Sequence, residues 1–114
     1  MNRNKVEDVL FDMGVPASHK GFDYIVDAME VIEKEGCIVS ATKALYPAIA
    51  KMHKTTESAV EAAIRHDLEY VRKNGNQEVF EKYIGSANRT NTPALASLFR
   101  HIKREEESGR MISG

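Results

Sequence analysis

Ser58, Glu61, Ala62, Arg65 and Glu69 recur at i, i+3, i+4, i+7 and i+11 within the run TTESAVEAAIRHDLEYVRK, residues 55–73. On a helix of about 3.6 residues per turn they share one side. The charged groups on that side stand among alanines. An arginine can fork onto O6 and N7 of guanine, a carboxylate can accept from N4 of cytosine, and short neighbours let a helix backbone come close. The chemistry on offer is the reading of base edges in a DNA groove, with Ser58, Glu61, Ala62 and Arg65 as the candidate base contacts. Glu61 and Arg65 also have the spacing of a solvated surface pair, which steadies a helix by only ~0.2–0.5 kcal/mol. Both roles are compatible, because Glu61 can orient Arg65 in the free protein.

Groups suited to phosphate surround this helix. Thr55, Thr56 and Ser58 bring hydroxyls and backbone N–H groups to its N-terminus, a natural place for an anion. Lys43, Lys51, Lys54, Arg89, Arg100, Lys103 and Arg104 can add positive charge, although any one of them alone also reads as a solvated surface residue. Other chemistry finds little purchase. His19, His53, His66 and His101 lack metal-ligand spacing, and with the single Cys37 no zinc site is readable. No Gly-rich phosphate loop, nucleophile elbow or HExxH run is present. Tyr24, Tyr46, Tyr70 and Tyr83 read as core-edge aromatics rather than as platforms for single-stranded nucleic acid. No catalytic residues, metal or cofactor are expected.

The 114 residues suit one domain with a single core, and the apolar share of 42% and charged share of 29% are ordinary for a soluble globule. No apolar run reaches the length of a membrane span, and no signal segment opens the chain. A lone cysteine leaves no internal disulfide, so a reducing cytoplasm is the expected home, and Cys37 is assigned no role. The net charge of −1 decides nothing, but its distribution is uneven. Residues 1–36 hold four Lys/Arg against eight Asp/Glu, whereas residues 86–104 hold four Lys/Arg and no acid. A phosphate backbone responds to the face it meets rather than to the total.

Apolar residues recur at helical spacing almost throughout, which predicts an all-α fold, a compact bundle of about six helices. Val6, Val9, Leu10 and Met13 form one stripe, closed by Gly14 and Pro16. Phe22, Ile25, Val26, Met29 and Ile32 form a second, ending near a left-handed cap at Gly36. Ser40 can cap a short helix through Leu45, which Pro47 stops while opening another that carries Ile49, Ala50 and Met52. Thr56 is an N-cap for the next helix, which buries Val60, Ala63, Ile64, Leu68 and Val71 and stops at Asn74-Gly75. A brief helix through Val79, Phe80 and Tyr83 ends at Gly85, and a loop follows over 86–92. The last helix, with Thr92 as cap and Pro93 in first position, buries Leu95, Leu98, Phe99 and Ile102. Its acidic run Glu105–Glu107 opposes the dipole at a helix C-terminus, so fraying is expected there. Residues 46–65 fit a helix-turn-helix, with Ile49 and Val60 packing across the angle and Ala50 small at the approach.

The runs MGVPASHKGFDYIVDAM (13–29), ATKALYPAIAKMHKTT (41–56) and VEAAIRHDLE (60–69), with TN at 90–91, resemble the C-terminal effector domains of the stage-zero sporulation protein A regulators. The resemblance covers roughly residues 5 to 108. It implies a helix-turn-helix over about 46–73 with the helix near 57–73 in the major groove of double-stranded DNA. It also implies TGTCGAA-like boxes, often in tandem, and contact with RNA polymerase through a sigma factor. Glu61 and Arg65 match base-contacting positions, and Lys43, Lys54, Thr55, Thr56, His66 and Arg89 are the candidate backbone contacts. Tandem binding in the family uses the last helix for subunit contact, here 93–106, with Leu95, Phe99 and Ile102 as the candidate residues. The chain departs from the pattern at Ala59 and Ala62, where the family usually has basic residues, and at His53, which replaces an apolar one. No receiver segment precedes the domain, consistent with an excised effector domain or a short paralogue free of phosphorylation control. A helical protein-interaction module that pairs with related regulators or RNA polymerase, without specific DNA binding, is the alternative reading.

Overall fold

A computed structural model of the chain describes residues 1–36 and 43–109 in full, and 38–42 and 110–113 through the backbone alone. Among the described residues six helices follow one another: α1 (Arg3–Met13), α2 (Lys20–Glu35), α3 (Ile38–His53), α4 (Glu57–Asn74), α5 (Gln77–Tyr83) and α6 (Asn91–Ser113). Among the described residues there is no strand, and the fold is an all-α bundle as the periodicity predicts. Cys37 and the side chain of Ser40 lie outside the described residues.

α2 is the keel. Its apolar stripe, Phe22, Ile25, Val26, Met29 and Ile32, is fully buried, and α1, α3, α4 and α6 all pack on it. Burying each such side chain favours the fold by about 1.5–3 kcal/mol. α1 adds Val6, Val9, Leu10 and Met13 and ends at Gly14, whose φ of 99° is left-handed as a helix-terminating glycine requires. Beyond it the N–H of Asn76 donates to the carbonyl of Met13 at 2.9 Å. That bond brings the end of α1 against the turn that closes α4.

α3 differs from expectation. Instead of two short helices meeting at Pro47, one helix runs from Ile38 to His53 with Pro47 inside it and exposed. It therefore begins before Ser40. Proline removes one backbone hydrogen bond and costs about 3 kcal/mol within a helix. Here the buried Leu45 on one side and Ile49 and Ala50 on the other hold the segment together. Tertiary packing has overridden the local penalty.

The end of α6 is the second departure. The helix continues past Glu105–Glu107 rather than fraying. Glu105 accepts from the Tyr83 hydroxyl at 2.6 Å and meets Lys5 at 3.2 Å and Lys82 at 3.0 Å. Glu106 accepts from the N–H of Asn2 at 2.7 Å. Burial pushes the Glu105 carboxyl up, but the bonds from Tyr83, Lys82 and Lys5 outweigh it and bring the pKa down to about 2. Partners from α1 and α5 offset the unfavourable dipole.

Candidate nucleic-acid interface

The turn between α3 and α4 comprises Lys54, Thr55 and Thr56. Thr55 N–H reaches back to the carbonyl of Ala50 at 2.9 Å and Lys54 N–H to that of Lys51 at 3.4 Å, the paired closure in which a glycine usually takes the left-handed position. Lys54 takes it instead, with φ of 53°. Thr56 then caps α4, its hydroxyl accepting from the N–H of Ala59 at 3.1 Å as expected.

Both helices of the motif are latched to α2 by a histidine and a carboxylate. His53 Nε2 lies 2.6 Å from Asp27 Oδ2, with its ring edge-on to Tyr24. His19 Nδ1 lies 2.9 Å from Asp67 Oδ1, and its ring stands edge-on to Tyr70. Both carboxylates are buried. Gly21 is what allows α2 and α4 to come so close. A Cβ there would stand 2.2 Å from Asp67 Oδ2 and 2.7 Å from the carbonyl of Ala63.

Held this way, α4 buries Val60, Ile64, Asp67, Leu68 and Val71, with Ala63 half-buried beside them. The opposite side is free. Ser58, Arg65 and Glu69 are exposed, and Glu61 and Ala62 half-buried. Arg65 Nη1 donates to both carboxylate oxygens of Glu61, at 2.7 and 2.8 Å, with 52% and 39% of the two side chains exposed. The surface pair therefore exists, and it stands on the edge that would face DNA.

Clefts flank this edge. One of about 460 Å³ lies between the start of α2 and α4, where His19, Lys20, Arg65 and His66 meet the buried Asp67. Another, of about 250 Å³, lies on the far side, where Arg89, Thr90 and Thr92 approach Tyr46, Glu61 and Arg65. A third gathers Lys20, Lys54 and Thr55 beside His53. The structure thus brings His66 and Arg89 beside Arg65, and Lys54 and Thr55 beside Lys20, which also lines the first of these clefts. Lys43 is exposed on α3 but lines none of these three clefts.

Three groups escaped the sequence reading. Lys20 is exposed at the first position of α2 and reaches two of the clefts. Tyr46 and Asn91 meet behind Glu61, with Asn91 Nδ2 donating to the Tyr46 hydroxyl and to the Glu61 carbonyl, both at 3.1 Å. Burial pushes the Tyr46 hydroxyl pKa up, so it stays protonated; the Asn91 bond opposes this. All three lie within the runs that carry the family resemblance, but none is singled out as a contact there.

The subunit-contact residues need correction. Leu95 and Ile102 are wholly buried in the core of their own chain and have no surface to offer a second copy. α6 turns its apolar stripe inward, where it meets α2 and α5. Phe99 is only half-buried and lines a cleft with Ala96, Arg100 and Arg104.

The sequence model of the family described as “Sporulation initiation factor Spo0A C terminal” matches residues 6–105. The chain belongs to that family. The Spo0A C-terminal family comprises the DNA-binding effector domain of a transcription regulator of sporulation and is not a family of enzymes. The match runs from α1 into α6 and contains the whole of α3, the turn and α4. Among the described residues of this Spo0A C-terminal domain, no helix is long and apolar enough to cross a membrane. None of their His, Cys, Asp and Glu side chains gather in threes to hold a metal ion.

Proposed function

We propose that this chain is a single effector unit that binds double-stranded DNA sequence-specifically, with the first turns of α4 in the major groove. The observation that carries this reading is the Arg65–Glu61 edge, exposed on a helix latched to the core, with Lys20, Lys54, His66 and Arg89 beside it. Arg65 forks onto a guanine, Glu61 accepts from a cytosine, and Ser58 and Ala62 give the groove clearance. Lys54, Thr55, Thr56, His66, Arg89 and Lys20 meet phosphates and fix the register. Lys43 stands apart from that set. Binding-site selection from a random duplex pool, at near-physiological salt, is the test. A recovered box whose affinity falls steeply with salt supports the reading, because phosphate contacts release counterions. Recovery of no box overturns it.

A second reading, pairing with another protein through α6, draws on Phe99 and the cations Arg100 and Arg104 around a cleft of about 340 Å³. It fits a second copy on tandem boxes or a sigma factor of RNA polymerase. In that case the chain binds its partner with no need of DNA affinity, and the salt series separates the two.

A further inference from the structure

The carbonyl of Glu61 is the acceptor that a regular helix offers to the N–H of Arg65, four residues on. It therefore belongs to the one backbone ring that joins the two reading residues. Asn91 adds a second donor to that same oxygen, at 3.1 Å, from the first residue of α6. A carbonyl only accepts, so the amide orientation of Asn91 is settled by this bond. The other amide hydrogen meets the Tyr46 hydroxyl of α3, also at 3.1 Å. Asn91 is itself buried. One side chain from α6 thus spans α3 and α4 at the level of the reading pair, and both its donors are used.

Apolar packing alone leaves a helix free to slide or roll by small amounts, because it is not directional. A directional donor that ties the Glu61 carbonyl of α4 to the Tyr46 hydroxyl of α3 does fix roll and depth. We propose that Asn91, braced by Tyr46, is a positioning residue for base recognition: it sets how far the Glu61–Arg65 edge projects into the groove. Misplacing that edge weakens the correct box more than a mismatched one, since only the correct box rewards the exact alignment. The inference rests on the DNA-reading function proposed above and deepens it.

The test compares the wild type with Asn91→Ala and Tyr46→Phe in competition binding, against the selected box and its single-base variants, over a salt series. Asn91→Ala lowers discrimination at the base pairs read by Glu61 and Arg65 by about tenfold, within the range one bidentate contact commands. Tyr46→Phe keeps the ring and removes only the brace, and lowers discrimination by about threefold. The salt slope stays that of the wild type in both, because no cation is lost. A merely structural role would lower the melting temperature and weaken all boxes equally, and that result overturns the inference. Should Asn91→Ala fail to fold, Tyr46→Phe decides alone, and unchanged discrimination in it is equally fatal. A wild type that selects no box brings down the DNA-reading function itself, an outcome visible before any variant is made.

Discussion

Replacing Arg65 by alanine separates a surface pair from a reading group by the size of two effects. In the free protein Arg65 loses its bonds to Glu61, at 2.7 and 2.8 Å, between side chains 52% and 39% exposed. Such exposed i,i+4 pairs contribute about 0.3–0.5 kcal/mol, and the higher helix propensity of alanine offsets some of that. The melting temperature should therefore move by no more than about 3 °C. On DNA the loss of a forked guanine contact costs about 1–3 kcal/mol, which is about 5- to 150-fold in affinity. The binding loss should thus exceed the folding loss several times over, and it should concentrate at one base pair. Thermal melts and competition isotherms against singly substituted boxes measure the two sides. Unchanged base preference, or an equal loss on every box, would remove Arg65 from base recognition.

Four other outcomes follow from the geometry. Lys54→Ala should weaken all boxes alike and reduce the salt slope by about 1. Lys54→Gly should do the same yet be about 1 kcal/mol more stable than the alanine variant, since glycine accepts the φ of 53° without strain; equal melting temperatures would contradict a strained turn. Gly21→Ala should cost about 3 kcal/mol in chemical denaturation, because its Cβ would meet the Asp67 carboxylate and the Ala63 carbonyl; a loss under about 0.5 kcal/mol would mean that α2 and α4 are not closely apposed. Glu105 has a folded pKa lowered to about 2 from 4.5, despite burial that pushes it up, by bonds from Tyr83, Lys82 and Lys5. Its contribution is full above pH 4.5 and lost as pH falls towards 2. The stability gap between wild type and Glu105→Gln should close over that window, and a gap that ignores pH would refute the assignment.

The outer edge of α4 was legible in the sequence because it depends on one period within one helix. Val60, Ile64, Leu68 and Val71 mark the inner side of α4, and the outer side follows from them. The same logic found the stripes of α1 and α2, the stop at Gly14 and the left-handed cap at Gly36. It failed where a local rule met distant partners. Pro47 reads as a stop, but Leu45 and Ile49 are buried on either side and hold one helix through it. Glu105 reads as a fraying end, but cations arrive from Lys5 and Lys82. Leu95 and Ile102 read both as core and as subunit contact, and the direction of the α6 stripe decides for the core. Lys20, Tyr46 and Asn91 were given no part in the interface, because their neighbours in space are not their neighbours in the chain.

A chain with a net charge of −1 can still offer a positive rim, and the ion pairs and hydrogen bonds made by its acids show how. Many of its acids are engaged in holding helices together. Asp27 is bound by Arg3 and His53, Glu30 by Arg3, and Asp67 by His19. Glu33 is bound by Lys103 and the N-terminal amine, and Glu105 by Lys5 and Lys82. The exposed cations around α4, Lys20, Lys54 and Arg89, take part in none of these pairs and keep their charge for a phosphate. Against them stand Glu57 at the start of α4 and Glu69 further along, both exposed. The long-range pull on DNA is consequently weak, and the attraction acts at contact, within a Debye length of about 8 Å. On the proposed reading, recognition then rests on how closely α4 fits its box rather than on electrostatic capture, which would make the latches at Asp27, Asp67 and Gly21 matter as much as the groups proposed to touch the bases.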